Sequence, residues 1–381
     1  MPVFQSGKFN PLYFQNLSTR ERVMNYTAQD YLVLLETCQI TEGLNRNILI
    51  DYAHDGIYDL GREHVQLLEM LKTNPILKVQ EEFEDEESRK NFEEFLKFLI
   101  SQEMAFVTPH PEKFPKISKH LHNDSLRIID SIIEVSPTTR MEDIDKFCYE
   151  ISELGCQEIV VWLVNDPIAI ASIKKVLDIL SKHGFSYIEV HGTHTGEMTL
   201  RETVWSLVEQ YASLKRLYLY SSDKADRVDV VNHVNGFAPM SLGEIIYVKE
   251  DFEDGKCCGQ IHFNSLDFSG YWVANMLLKK NGCLYKKISL TKDGTIMNCP
   301  CLNVAYGHIQ DTVVKDVIQS KKFRLWGDIK KDDIHVCKEC EYRYNCTDCR
   351  AFRLSSDILS KPSKCKYNYC CPIKLFEAKQ N

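Results

Sequence analysis

Eight of the chain's fifteen cysteines form one ordered array, and this array constrains the fold more than any other feature. It runs Cys283-x10-Gly294-x4-Cys299, then Cys337-x2-Cys340-x5-Cys346-x2-Cys349, then Cys365, with Cys258 (or its neighbour Cys257) upstream. Thiolates two to five residues apart can converge on one metal centre without straining the backbone. Two sets of four can be drawn from these residues, as for two iron–sulfur clusters. A zinc ribbon is the rival, since Cys-x2-Cys occurs twice within 337–349. Soft thiolates select both metals, so ligand type leaves the choice open.

Disulfides are the poorer reading. The start, MPVFQSGKFNPLYFQNLSTRER, has no basic segment followed by an apolar core, so no secretory signal is expected. The expected location is cytoplasmic, where thiols stay reduced. No apolar run approaches the roughly 18 residues that span a bilayer, so no membrane partner is expected. The net charge of −8 argues against a nucleic-acid partner, which a basic surface would favour. At 381 residues the chain has room for two or three domains.

Three regions follow along the chain. In 1–117, residues 30–38 are mostly apolar. Asn47–Asp51, the turn signal Asp55-Gly56 and Ile57–Leu60 predict a β-hairpin. A helix is expected over Glu63–Lys72. Another carries Phe92, Phe95, Leu96, Leu99 and Ile100 on one face. The acidic run EEFEDEE (81–87) reads as a solvated face or loop. Together these suggest a small winged-helix-like α+β module. A proline-rich, charged stretch at 109–124 marks a boundary.

Region 118–270 alternates strands and helices. Strands are expected at Leu126–Val135, Glu158–Val164, Ser186–His191, Arg216–Tyr220, Glu244–Lys249 and Gln260–Phe263. Amphipathic stretches lie between them: Ile144 to Leu154, ending at Gly155; Ile168–Lys182; and Leu200–Ala212. Alternation of this kind implies βα units and a parallel sheet, here a partial (β/α) barrel. The expected fold class is therefore α/β. In 271–381 the regular patterns weaken and cysteines dominate, as expected where metal organises the chain.

The order of the array resembles the SPASM domain found C-terminal to many radical S-adenosylmethionine enzymes of peptide modification. The segments KISLTKDGTIMNCP (287–300), YGHIQDT (306–312) and VCKECEYRYNCTDCRAF (336–352) resemble one branch in particular. These are the peptide maturases of grasp-with-spasm cassettes, whose partner is an ATP-grasp ligase acting on a ribosomally made precursor peptide. LLETCQI and NRNILIDYAHDGIYDL (34–60) resemble the start of those maturases.

The resemblance implies a partial barrel of radical-enzyme type and two auxiliary 4Fe–4S clusters. Cys283, Cys299, Cys349 and Cys258 (or Cys257) would hold one; Cys337, Cys340, Cys346 and Cys365 would hold the other. The family usually places three residues between the last two cysteines of its central run, and here there are two. Cys301, Cys370 and Cys371 are therefore alternatives to Cys349. The resemblance further implies that 1–117 is a PqqD-type module that takes a leader peptide as an added strand, a mode that an exposed hairpin edge suits.

One element of that family is missing. A radical S-adenosylmethionine enzyme needs Cys-x3-Cys-x2-Cys after its first barrel strand. Here that place reads SPTTRMEDIDKF (136–147), and the motif occurs nowhere in the chain. S-adenosylmethionine is therefore not expected as a cofactor. Cys148 and Cys156 lie nearby, but Cys148 sits on an apolar helix face and reads as a core thiol. His191-x2-His194 follows a strand but lacks an evident third metal ligand. Asp124, Glu134 and Glu189 are acid–base candidates at strand ends. There is no Walker loop and no GxGxxG. Three roles fit: a protein that binds and presents a precursor peptide, an enzyme whose iron–sulfur centre acts on that peptide, or a zinc-stabilised adaptor.

Overall fold

The computed structural model describes residues 26–114, 127–167, 170–194, 201–232, 240–252 and 270–367, with Cys258, Ile261, Leu266 and Phe268 from the stretch between the last two segments. In the first part, β2 (Cys38–Glu42), β3 (Asn47–Asp51) and β4 (Gly56–Leu60) form an antiparallel sheet in that order. The predicted hairpin is β3–β4, and β2 adds a third strand. Asp55 takes the turn with φ +53°, a left-handed conformation that Asp tolerates better than most residues. Around the sheet lie α1 (Arg62–Leu71), α2 (Ile76–Gln80) and α3 (Glu86–Ser101), and β1 (Tyr31–Leu34) pairs antiparallel with β5 (Ala105–Thr108). Leu49, Leu68, Leu71, Phe92, Phe95 and Leu96 are buried in their common core.

The acidic run does more than meet water. The Asp85 carboxylate accepts the Ser88 N–H at 2.7 Å and caps α3, while Glu86 and Glu87 sit in its first turn. There they satisfy free amides and oppose the positive end of the helix dipole. Phe83, within the same run, is buried.

The second part is a nine-stranded sheet in the order β10-β11-β9-β8-β7-β6-β12-β13-β14. Its strands are β6 (Asp130–Val135), β7 (Glu158–Pro167), β8 (Tyr187–Thr193), β9 (Leu214–Tyr220), β10 (Asp226–Asn232), β11 (Met240–Tyr247), β12 (Lys287–Leu290), β13 (Thr295–Met297) and β14 (Ala305–His308). β6 to β9 are successive parallel neighbours, joined by α4 (Met141–Ser152), α5 (Ile170–Lys182) and α6 (Arg201–Gln210). α4 ends as its sequence suggests: Gly155 has φ +87°, and Cys156 N–H returns to the Ile151 carbonyl at 3.1 Å. β10 was not anticipated. It pairs antiparallel with β11, which lies parallel to β9. Of the strand expected at Gln260–Phe263, only Ile261 is described, in an isolated bridge to Cys365.

β12 pairs parallel with β6, so the first hairpin of the cysteine-rich region extends the large sheet. Ile288, Leu290, Ile296 and Ile309 share one core with Phe147, Ile159 and Leu217. α8 (Val314–Gln319) and α9 (Lys321–Asp328) add Val314 and Phe323 to it. Cys148 lies there too, fully buried.

The N-terminal sheet docks on the cysteine-rich segment. All five residues of β3 are buried because both its faces are covered. Leu49 faces its own helices, while Ile48 and Ile50 join Tyr52, Tyr342 and Ala274 of α7 (Tyr271–Leu277).

Candidate metal centres and the open face of the sheet

Cys283 follows α7, with its loop pinned by Asn281. The Asn281 Oδ1 accepts the Cys283 and Leu284 amides at 3.0 and 2.8 Å. Cys299 follows β13. Gly294 between them is a turn residue, with φ +82°, and a Cβ there would meet the His308 ring at 2.5 Å. The glycine in the Cys-x10-Gly-x4-Cys pattern is therefore required by the β12–β13 turn. Burial pushes the Cys283 thiol well up. Lys287 pulls it down, and the Cys299, Cys258 and Cys349 sulfurs push it further up. Cys299 is raised first by a side-chain hydrogen bond with Cys301 and then by burial.

The second set behaves alike. Burial pushes Cys337 up to about 11, with Lys331 opposing and Asp348, Cys346 and Cys365 adding. Cys340 is pushed to about 12 by burial, then by Glu341, with Cys346 contributing. The eight array cysteines thus form two electrostatic groups, which meet where Cys299 and Cys337 share an apolar cluster with Cys283 and Cys301. One holds Cys258, Cys283, Cys299 and Cys349; the other holds Cys337, Cys340, Cys346 and Cys365. All eight are free thiols. Cys257, Cys370 and Cys371 lie outside the described residues. Among the described residues, no three His, Cys, Asp or Glu side chains stand close enough to hold a metal ion as they are placed. The donor chemistry suits a soft metal, and binding one would require these protonated thiols to ionise and draw together.

A buried polar network links the two sets. Asp348, itself at φ +61°, receives Arg350 Nη2 at 2.6 Å, Lys331 Nζ at 3.3 Å and Asn281 Nδ2 at 2.7 Å. Arg350 is fully buried and also donates to the Ser360 carbonyl at 2.8 Å. Burial alone would lower the Lys331 pKa, but the charges of Cys346, Asp348 and Cys337 raise it overall. Lys287, also opposed by burial, is raised by Asp130, at 3.0 Å, and by Cys283. Each thiol set therefore has a cation able to offset thiolate charge, Lys331 buried and Lys287 largely so. Sequence reasoning missed Asn281, Lys331, Asp348 and Arg350, although their place within or beside the cysteine run was a usable signal.

The face of the parallel sheet opposite α4 to α6 adjoins the first set: Cys258 and Cys301 pack with Ile132, Trp162, Val164 and Phe252. After β6, Ser136 N–H donates to Thr139 Oγ1 at 2.9 Å, and Thr139 Oγ1 donates to the Lys292 carbonyl at 2.9 Å. A closed hydroxyl turn thus follows the first strand of the parallel run. Glu134 accepts the Lys292 amide at 3.4 Å, and Asp124 lies outside the described residues. His191 and Glu189 come together: Nε2 lies 2.5 Å from Glu189 Oε1, and Nδ1 lies 3.1 Å from the Tyr220 hydroxyl. The His194 ring meets Tyr247 edge-on instead.

No protein-family model and no curated protein matches the chain. Among solved structures, the Streptococcus suis protein SuiB, crystallised with its precursor peptide SuiA, overlaps 88% of this chain and 100% of its own. The TM-score is 0.34 and the identity 10%. An overlap of that quality bears on neither the fold nor the function of this chain. The described mixed α/β architecture, with its large sheet, rests on its own topology.

Proposed function

We propose that this protein is a peptide-maturation component that binds a ribosomally made precursor peptide, carries two auxiliary 4Fe–4S clusters and works with an ATP-grasp ligase in the cytoplasm. In this reading 1–117 is a winged-helix-like leader-binding module, 118–270 a degenerate partial barrel and 271–381 a SPASM domain. What supports this reading is the gathering of the array's thiols about two lysines, Lys331 buried and Lys287 largely so. Cys258, Cys283, Cys299 and Cys349 would hold one cluster; Cys337, Cys340, Cys346 and Cys365 would hold the other. Such clusters, when bound, supply redox capacity and fix the fold of a region with few regular elements.

The chain's own residues supply the rest. Lys287 and Lys331 offset thiolate charge, and Asn281 and Asp348 hold the two cysteine segments together. β4 forms one edge of the N-terminal sheet and suits strand addition, with Ile57 and Asp59 exposed.

Anaerobic purification tests the metal half: a brown protein with about eight irons per chain is expected. A colourless protein holding only zinc would sink it. Amide hydrogen exchange tests the peptide half, with a synthetic candidate precursor peptide as ligand. β4 amides should gain protection; unchanged protection there would refute leader binding at this edge.

A further inference from the structure

We propose that Glu189, His191 and Tyr220 form a proton-transfer site on the face of the sheet opposite α4 to α6, acting on a hydroxyl or ammonium group of a peptide laid across the carboxyl ends of the strands. The substrate class rests on the peptide reading above; the relay itself does not.

The three groups converge for a simple reason. Side chains alternate across a strand, so Glu189 and His191 share one face of β8, and Tyr218 and Tyr220 share the same face of β9. His191 stands in register with Tyr218, and their rings stack at 4.4 Å with 6° between planes. This fixes the imidazole orientation. Glu189 is fixed in turn: its second oxygen receives the Tyr187 hydroxyl at 3.3 Å and faces Arg216 at 3.8 Å. Arg216 also meets Glu244 at 3.3 Å. The ion pairs lie towards the amino ends of the strands, while His191 and Tyr220 lie towards the carboxyl ends, where sites form in parallel α/β sheets. Phe252 lies 5.1 Å from Tyr220 and 6.4 Å from Trp162, giving an aromatic wall beside Cys258.

The bonding sets the chemistry. A carboxylate at Nε2 requires Nε2–H, which leaves Nδ1 of the neutral ring as an acceptor for the Tyr220 hydroxyl. When a substrate X–H gives its proton to the Tyr220 oxygen, the phenol proton passes to His191 Nδ1. The products are X⁻ from a hydroxyl, or the neutral amine from an ammonium, with a neutral phenol and an imidazolium whose Nε2–H stays on Glu189. The reverse transfer returns both protons. Glu189 thus acts as a positioning residue, as the third member of a triad does.

Acylation of the full-length protein with N-acetylimidazole, followed by peptide mapping, tests this. The Tyr220 oxygen takes the acetyl group as its proton moves to His191, the acetyl–nitrogen bond of the reagent breaks and imidazole leaves. Tyr220 should react faster than Tyr218. H191Q and E189Q should each slow Tyr220 by about tenfold or more. An unreactive Tyr220 in the parent protein, or an unchanged rate in H191Q, would overturn the proposal. Side-chain ¹⁵N spectra provide a readout that does not depend on the variants: His191 should carry its proton on Nε2, and a proton on Nδ1 of the neutral ring would equally refute the relay. Loss of peptide binding with this reactivity intact would refute the substrate class alone.

Discussion

Asp348 is the side chain on which the cysteine-rich segment turns. It sits one position before Cys349, in a left-handed conformation, and gathers Arg350, Lys331 and Asn281 around a carboxylate that is almost fully buried. Removing one partner from a buried charge network leaves the others uncompensated. Asp348→Ala should therefore cost about 3–5 kcal/mol, read as a lower urea midpoint. A shift no larger than that of an exposed substitution such as Glu94→Ala would refute this role. At Asp85 the stake is smaller. Asp85→Ala removes the cap of α3 and should cost about 1 kcal/mol, with α3 amides exchanging faster and β6 amides unchanged. The buried thiols add a pH dependence. Cys337 moves from its ordinary 9.0 to about 11 and Cys340 from 9.0 to about 12, so the metal-free fold favours their neutral forms. Their contribution to stability is complete below pH 9.0 and drains away as pH rises towards those values. Metal uptake has the opposite sign: it releases protons and weakens as pH falls. Alkaline melts of the metal-free chain should flatten in Cys337→Ala, and a melt that keeps its full slope would show that the thiol is not responsible.

Among the elements, β3 and β12 carry the most consequence. β3 is wedged between two apolar layers, so the hydrophobic run NILID reads as a strand with no polar face. Its neighbours on the other side, Ala274 and Tyr342 among them, come from segments far later in the chain, which no local pattern announces. β12, four residues long, owes its place to pairing with β6. Short strands of this kind carry little periodicity, because a sheet edge already formed supplies their hydrogen bonds. β10 escaped notice for a related reason. Asp226, Arg227 and Asp229 give it a polar surface, and Arg227 is held by Glu244 of β11 at 3.2 Å. The central parallel strands were legible, because they are buried apolar runs separated by amphipathic helices.

At the scale of the whole molecule, the N-terminal sheet and the cysteine-rich segment form a single packed unit. Leu44 N–H donates to the Glu339 carbonyl at 2.9 Å, Arg343 Nη1 to the Glu42 carbonyl at 2.6 Å, and Asn345 Nδ2 to the Tyr52 hydroxyl at 2.8 Å. Arg46 Nε lies 3.3 Å from both Asp59 of β4 and Glu341, and the Arg46 guanidinium also bonds the Tyr342 hydroxyl. Deleting residues 1–114 would strip Ile48, Ile50 and Tyr52 from Tyr342 and leave Glu341 without its arginine. The truncated chain should therefore aggregate, or lose protection around Cys337–Cys349 in hydrogen exchange. A truncated chain as well protected there as the full one would show that the docking is dispensable. Changes confined to the exposed edge, such as Ile57→Asp, are consequently better probes of peptide binding than truncation.

The array of cysteines, the alternation of strands and helices, and the absence of a Cys-x3-Cys-x2-Cys motif are all local properties of the chain. The amino-acid order alone determined them, because turn spacing and side-chain periodicity act over a few residues. The division of the thiols into two neighbourhoods, the network around Asp348 and the meeting of Glu189, His191 and Tyr220 needed the folded chain. Each depends on strands and loops far apart in sequence, brought into register by sheet pairing and by burial of a shared apolar core, and neither leaves a short-range trace.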